Sequence, residues 1–215
     1  MKTLYLATAL SALATAPVFA GSGAHYTVTF DGAWSAATHP FEYPVGAHFS
    51  GLVGATHNGE YVIFGKGGAA TAGLEKLAEM GAHNPLDDEI RAAIQAGKAG
   101  ALFEGSAIFG PPGQAASEFD IDERFPMVSV VAMIAPSPDW FAGVANVSLQ
   151  ENGEWVAKKT VTLEAWDAGT DGGTTYKAPD ADSQPRQPIT LNGSAAHFGM
   201  AGARPTVATV TFTKR

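Results

Sequence analysis

Asn152-Gly153 constrains this chain more than any other pair of residues. It stands between two runs of strand composition, Phe141 to Leu149 and Glu154 to Ala165. A two-residue hairpin turn needs positive φ at both central positions, which Asn and Gly tolerate best. The runs are therefore expected to pair antiparallel. That turn sets a register in which Asp139 faces Trp166 and Asp167 faces Pro138, so the two aspartates fall one position out of alignment. A single bulge absorbs such a mismatch.

The far ends of the hairpin both carry acid. One is Ser137-Pro138-Asp139-Trp140; the other is Trp166-Asp167-Ala168-Gly169-Thr170-Asp171-Gly172-Gly173. Asp139, Asp167 and Asp171 are thus expected to converge at one end of a sheet. Calcium takes six to eight oxygens at about 2.3–2.6 Å from carboxylates, carbonyls and water, and a short Asp/Gly/Thr loop supplies these. The loop is not an EF-hand. With Asp167 as its first residue, the third would be Gly169 and the twelfth Ala178, so the bidentate glutamate is missing. Closure needs a second loop, and Asp139 is the residue placed to provide it. As surface turns, the same Asp and Gly residues would serve only local hydrogen bonds.

Elsewhere the pattern is mainly β. Tyr26, Val28 and Phe30 alternate with polar residues, as do Ala208, Val210 and Phe212, and Met127 to Ile134 carries apolar groups on both faces, as a doubly covered strand requires. Gly32 to Gly59 reads as a long packed connection, Glu60 to Phe64 as a short strand, and Gly110 to Arg124 as an exposed loop. Ala69 to Met80 has helical spacing and ends at Gly81. A second helix is expected from the N-cap Asn84, with Pro85 at its first position and Asp87, Asp88 and Glu89 in its first turn, running to Gln95. Many strands and two short helices imply an antiparallel β-sandwich with helices inserted in its connections.

Residues 1–20 read as a signal peptide, with Lys2, an apolar run from Leu4 to Leu13 and the small-residue cleavage site Val18-Phe19-Ala20. A secreted or periplasmic protein beginning near Gly21 is the expectation. No later run is long enough for a membrane span. The 215 residues contain no cysteine, which excludes disulfides and thiolate sites, and 21 acidic against 13 basic residues argue against a nucleic-acid partner. About 195 remaining residues suit a single domain.

Taken in order, His39-Pro40, Ala47-His48-Phe49-Ser50, the Gly73 to Gly81 helix, Pro126 to Ile134, Pro136-Ser137-Pro138-Asp139-Trp140, Trp166-Asp167-Ala168-Gly169-Thr170-Asp171 and Pro185-Arg186 resemble the spondin domain that gives F-spondin its name. The resemblance runs from about Tyr26 to the end and marks 21–215 as one domain. It implies a C2-like β-sandwich and one calcium ion held by Asp139, Asp167 and Asp171. Family members occur in extracellular matrix and adhesion proteins, beside thrombospondin-type or reelin-like modules that this chain lacks. Cysteines found around the corresponding hairpin in animal members are absent too, so the chain looks like a bacterial single-domain version. The implied role is a non-enzymatic binding, adhesion or structural module with an extracellular protein or glycan ligand.

Three other readings follow from the residues. Trp34, Tyr43 or Trp140 would stack on a glycan if exposed, independently of calcium; Trp140, Trp155 and Trp166 otherwise form an aromatic cluster in the core. His39, His48 and His57 are evenly spaced but lack a metal-binding motif, which favours packed or surface histidines. His48 and Ser50 invite a hydrolase reading, although no nucleophile elbow is present.

Overall fold

The computed structural model describes residues 23–199 and 206–215; the expected signal peptide lies outside them. In chain order the strands are β1 (Ala24–Gly32), β2 (His48–Phe49), β3 (Val53–His57), β4 (Ala99–Glu104), β5 (Ile108–Phe109), β6 (Gly113–Ile121), β7 (Met127–Ala135), β8 (Trp140–Ser148), β9 (Gln150–Glu151), β10 (Glu154–Trp155), β11 (Lys158–Asp167), β12 (Thr190–Leu191) and β13 (Ala208–Lys214). Helices α1 (Ala72–Met80) and α2 (Leu86–Gln95) follow β3, and α3 (Ala195–Phe198) follows β12.

Strand β7 explains the architecture. Its even-numbered side chains Val128, Val130, Ala132 and Ile134 join Tyr26, Val28, Phe30, Phe49 and Phe212 in the main core. From the opposite face, Val131 meets Leu74 and Leu77 of α1, Leu86 and Ile90 of α2, and Phe141. Each such fully buried side chain contributes about 1.5–3 kcal/mol. The expected double coverage is thus supplied by the sheet on one side and the helix pair on the other.

The strands pair antiparallel in the order β4-β3-β7-β8-β11-β13-β1-β6, with β2 and β5 at one end of β7. The two edges, β4 and β6, approach each other. The expected antiparallel β fold is present, and its opposed walls belong to one sheet curled nearly closed. Among the described residues the helices number three, α3 being added to the two expected.

Several expectations are corrected. Glu60 to Phe64 forms no strand; the strand of that region is β3, whose five residues are all buried. The supposed exposed loop contains β6, which pairs along the whole of β1. Asn84 does not cap α2: its amide donates to Asp88 at 2.6 Å, and Pro85 occupies the cap with no side-chain bond. Helix α1 is capped as its sequence permits, by Thr71 accepting from the Leu74 amide at 3.1 Å and by Gly81 at φ 66°.

The hairpin turn has φ 54° at Asn152 and 81° at Gly153, and β9 and β10 follow the expected register, Glu154 opposite Glu151. Further along, Asp167 stands opposite Trp140 and Trp166 opposite Phe141, a shift of two. The cause lies between. Asn146, at φ 59°, turns its amide onto the Ser129 hydroxyl where β8 bulges against β7, while residues Lys158 to Leu163 of β11 pair with β13 instead of β8.

Strand β1 pairs with β13 from Tyr26 opposite Lys214 to Gly32 opposite Ala208, and the Arg215 amide donates to the His25 carbonyl at 2.9 Å. Because β11 starts with Lys158 opposite Thr213 and runs away from that point, Asp167 lies at the other end of the sheet.

Candidate metal centre

Antiparallel pairing of β8 with β11 brings the start of one strand beside the end of the other, and the Ala168 amide donates to the Asp139 carbonyl at 3.2 Å. The second loop then turns over the first. Gly169 has φ 74°, and a Cβ there would lie 2.2 Å from the Gln187 carbonyl oxygen. Only glycine fits both demands. The close approach lets residues 181–187 strap the loop: Gly172 donates to Ala181 at 2.9 Å, Ser183 to Thr170 at 2.8 Å and Gln187 to Gly169 at 2.7 Å. Gly173 packs so tightly on Pro138 that a Cβ would meet its ring at 2.7 Å.

Asp139 is fully buried. Its Oδ2 accepts from the Thr170 amide at 2.7 Å, the Asp171 amide at 3.2 Å and the Thr170 hydroxyl at 3.3 Å. Its Oδ1 is buried with no donor. Asp167 accepts from the Gly169 amide at 2.9 Å, and Asp171 accepts from Gly173 at 2.6 Å and Ala181 at 3.0 Å.

Burial pushes the Asp139 carboxyl up to about 6, and the charge of Asp167 adds to the rise against the opposing Thr170 and Asp171 amides. Asp167 is likewise raised by burial, with the charge of Asp171 contributing. The Asp171 backbone amide lies on Asp139 Oδ2, so the two loops meet at this end of the sheet. Ligand atoms of Asp139, Asp167 and Asp171 do not all lie within 4.8 Å of one another; among the described residues that spacing is met by His83, Asp87 and Glu104.

The family model described as Spondin_N matches residues 24–199. The chain belongs to the spondin family. It is 34% identical over 203 residues to Spondin-2 of Homo sapiens, covering 89% of this chain and 61% of the relative. To Spondin-1 of Bos taurus it is 36% identical over 181 residues, covering 81% of this chain and 22% of the relative. The chain thus spans about three fifths of the first relative's length and about a fifth of the second's.

In this spondin domain a fourth carboxylate flanks the aspartates. Glu79, on α1, is raised by burial, with the Thr170 hydroxyl opposing and the Asp171 charge adding to the shift. Its neighbour Glu75 pairs with Arg186 of the strap. Nothing in the sequence pointed to Glu79, because its spacing from Glu75 matches an ordinary solvated helix face.

The remaining site expectations divide. Trp34 and Trp140 are buried, so neither can stack on a glycan, and Tyr43 packs edge-on to Trp34. Trp140 contacts Tyr176 and Phe198, whereas Trp166 contacts Phe64, so the expected tryptophan cluster is divided between the two faces of the sheet. His57 is a core histidine bonded to Ser129 at 2.8 Å, His48 stacks on Phe109, and His39 bonds to Thr38 at 2.8 Å. Ser50 gives its hydroxyl to the Gly51 carbonyl and accepts from the Met133 amide, while His48 turns to the Gly46 carbonyl. The pair is not a nucleophile and its base. No helix of the described residues is long and apolar enough to cross a membrane.

Proposed function

We propose that this spondin domain binds one calcium ion through Asp139, Asp167 and Asp171 and works outside the cytoplasm as a non-enzymatic binding module. The observation that carries the reading is Asp139 Oδ1, fully buried without a donor, on a side chain that the loop bearing Asp167 and Asp171 closes over. A buried carboxylate with one oxygen left unpaired is costly, and a hard cation removes the cost. Asp139 supplies the interior ligand, Asp167 and Asp171 close from the loop, and the strap holds Gly169 and Thr170 in place. The three carboxylates closing on the ion, together with water, complete the oxygen shell.

With a dissociation constant of about 10 μM and about 1 mM calcium, linkage would add about 2.7 kcal/mol to stability. Isothermal titration with calcium, together with elemental analysis of the purified protein, tests the reading. One equivalent bound, and lost on chelation, is expected; no heat and no metal would end it.

The ligand is better sought among proteins than glycans. Phe109 is 79% and Val45 88% exposed, whereas Trp34 and Trp140 are inside. Pull-down by the wild type and loss of the captured protein in a Phe109→Ser, Val45→Ser variant would support this, and retention of glycan binding in that variant would oppose it.

A further inference from the structure

A second cluster lies on the helix side of the sheet, apart from the aspartate loops. His83 sits in the link between α1 and α2, Asp87 in the first turn of α2, and Glu104 at the end of β4. One ligand atom from each lies within 4.8 Å of the other two. His83 Nδ1 bonds to Glu104 Oε1.

Two further observations point to a ligand. Asp87 is only 8% exposed and its Oδ1 is buried with no donor. The Arg91 guanidinium reaches Asp87 Oδ2 only at 3.9 Å and lies closer to Asp88, at 3.3 Å. In addition, the imidazole fills space left by a glycine. A Cβ on Gly51 would stand 2.6 Å from His83 Nε2 and 2.8 Å from the Gly105 carbonyl oxygen. A larger residue at 51 would expel the ring from this position.

We propose that His83, Asp87 and Glu104 form a second divalent-cation site, selective for an ion of the zinc class. Imidazole nitrogen suits zinc, whereas calcium takes oxygen ligands. Zinc binds His and carboxylate ligands at about 2.0–2.2 Å, so an entering ion takes the place of the direct His83–Glu104 contact and holds the two side chains through itself. The His83 and Glu104 side chains are 26% and 43% exposed, which leaves the ion an entry path and a fourth position for water. Asp87 provides the inner ligand. None of the three residues contributes to the aspartate loops, so the proposal stands or falls separately from calcium binding.

The test is zinc titration of the full chain at pH 7.5 in about 2 mM calcium, followed by competition with a chromophoric chelator. One equivalent should bind, Glu104→Gln and His83→Asn should each weaken binding at least tenfold, and Glu154→Gln, an exposed acid outside both clusters, should leave it unchanged. X-ray absorption at the zinc edge should show one imidazole among oxygen ligands. Failure of the folded wild type to take up zinc would overturn the proposal, as would undiminished binding in Glu104→Gln, whose exposed side chain makes misfolding an unsuitable explanation. Displacement of the zinc by millimolar calcium would overturn its selectivity.

Discussion

Asp139→Asn should raise stability in chelator and abolish the response to calcium, two effects of opposite sign from one substitution. At neutral pH the carboxylate is ionised although burial and its neighbours raise its pKa from 3.8 to about 6. Such a shift corresponds to about 3 kcal/mol of destabilisation. The amide removes that charge and retains an oxygen for the Thr170 and Asp171 amides. Its new N–H₂ must find an acceptor, a loss of about 1–2 kcal/mol where pairing is imperfect. The net gain in chelator is then about 1–2 kcal/mol, or a rise of about 2–8 °C for a chain of this size. Added calcium at about a hundred times its dissociation constant should stabilise the wild type by about 2.7 kcal/mol and the variant not at all. Thermal melts followed by circular dichroism, in chelator and in calcium, measure all four values. If the variant is destabilised equally in both buffers, Asp139 is an ordinary hydrogen-bond acceptor and the metal argument is wrong.

Two more predictions follow from the same region. A raised carboxyl keeps its proton longer in the folded state, so without metal the Asp139 destabilisation is absent below about pH 4, grows as pH rises from about 4 to 6 and is fully present above that. Urea midpoints in chelator should therefore fall between pH 4.5 and 7.5 by more in the wild type than in Asp139→Asn, and parallel profiles would remove the assignment. Gly169→Ala forces a left-handed residue onto the Gln187 carbonyl. It should cost at least about 2 kcal/mol and expose the strap at 181–187 to limited proteolysis, whereas a wild-type cleavage pattern would show that the strap does not depend on this contact.

The legible parts of the fold were those with a strong apolar period. Strand β7 is apolar on both faces and β13 is apolar at every second position, and both strands lie where those patterns placed them. Strand β3, Val-Gly-Ala-Thr-His, has almost no such period, because its small residues accommodate larger neighbours: a Cβ on Gly54 would meet the Phe103 ring at 2.2 Å. Strand β6 was hidden for another reason. Its inward set, Ala115, Phe119 and Ile121, is sparse and follows Gly110-Pro111-Pro112-Gly113, so the turn signal outweighed the alternation. At the site, Asp139, Asp167 and Asp171 could be grouped because one hairpin joins them. Glu79 and the strap reach the loop through tertiary packing alone, which no local spacing encodes.

The meeting of Arg215 with His25 has a mechanical consequence. Both ends of the described chain leave from neighbouring antiparallel strands at the same end of the sheet, opposite the aspartate loops. A pull applied through them would load the β1–β13 ladder one rung at a time, as a zipper is opened, instead of shearing all its hydrogen bonds together. Tethered at that point, the domain would hang to one side of the line of tension, with its acidic loops directed away from the tether.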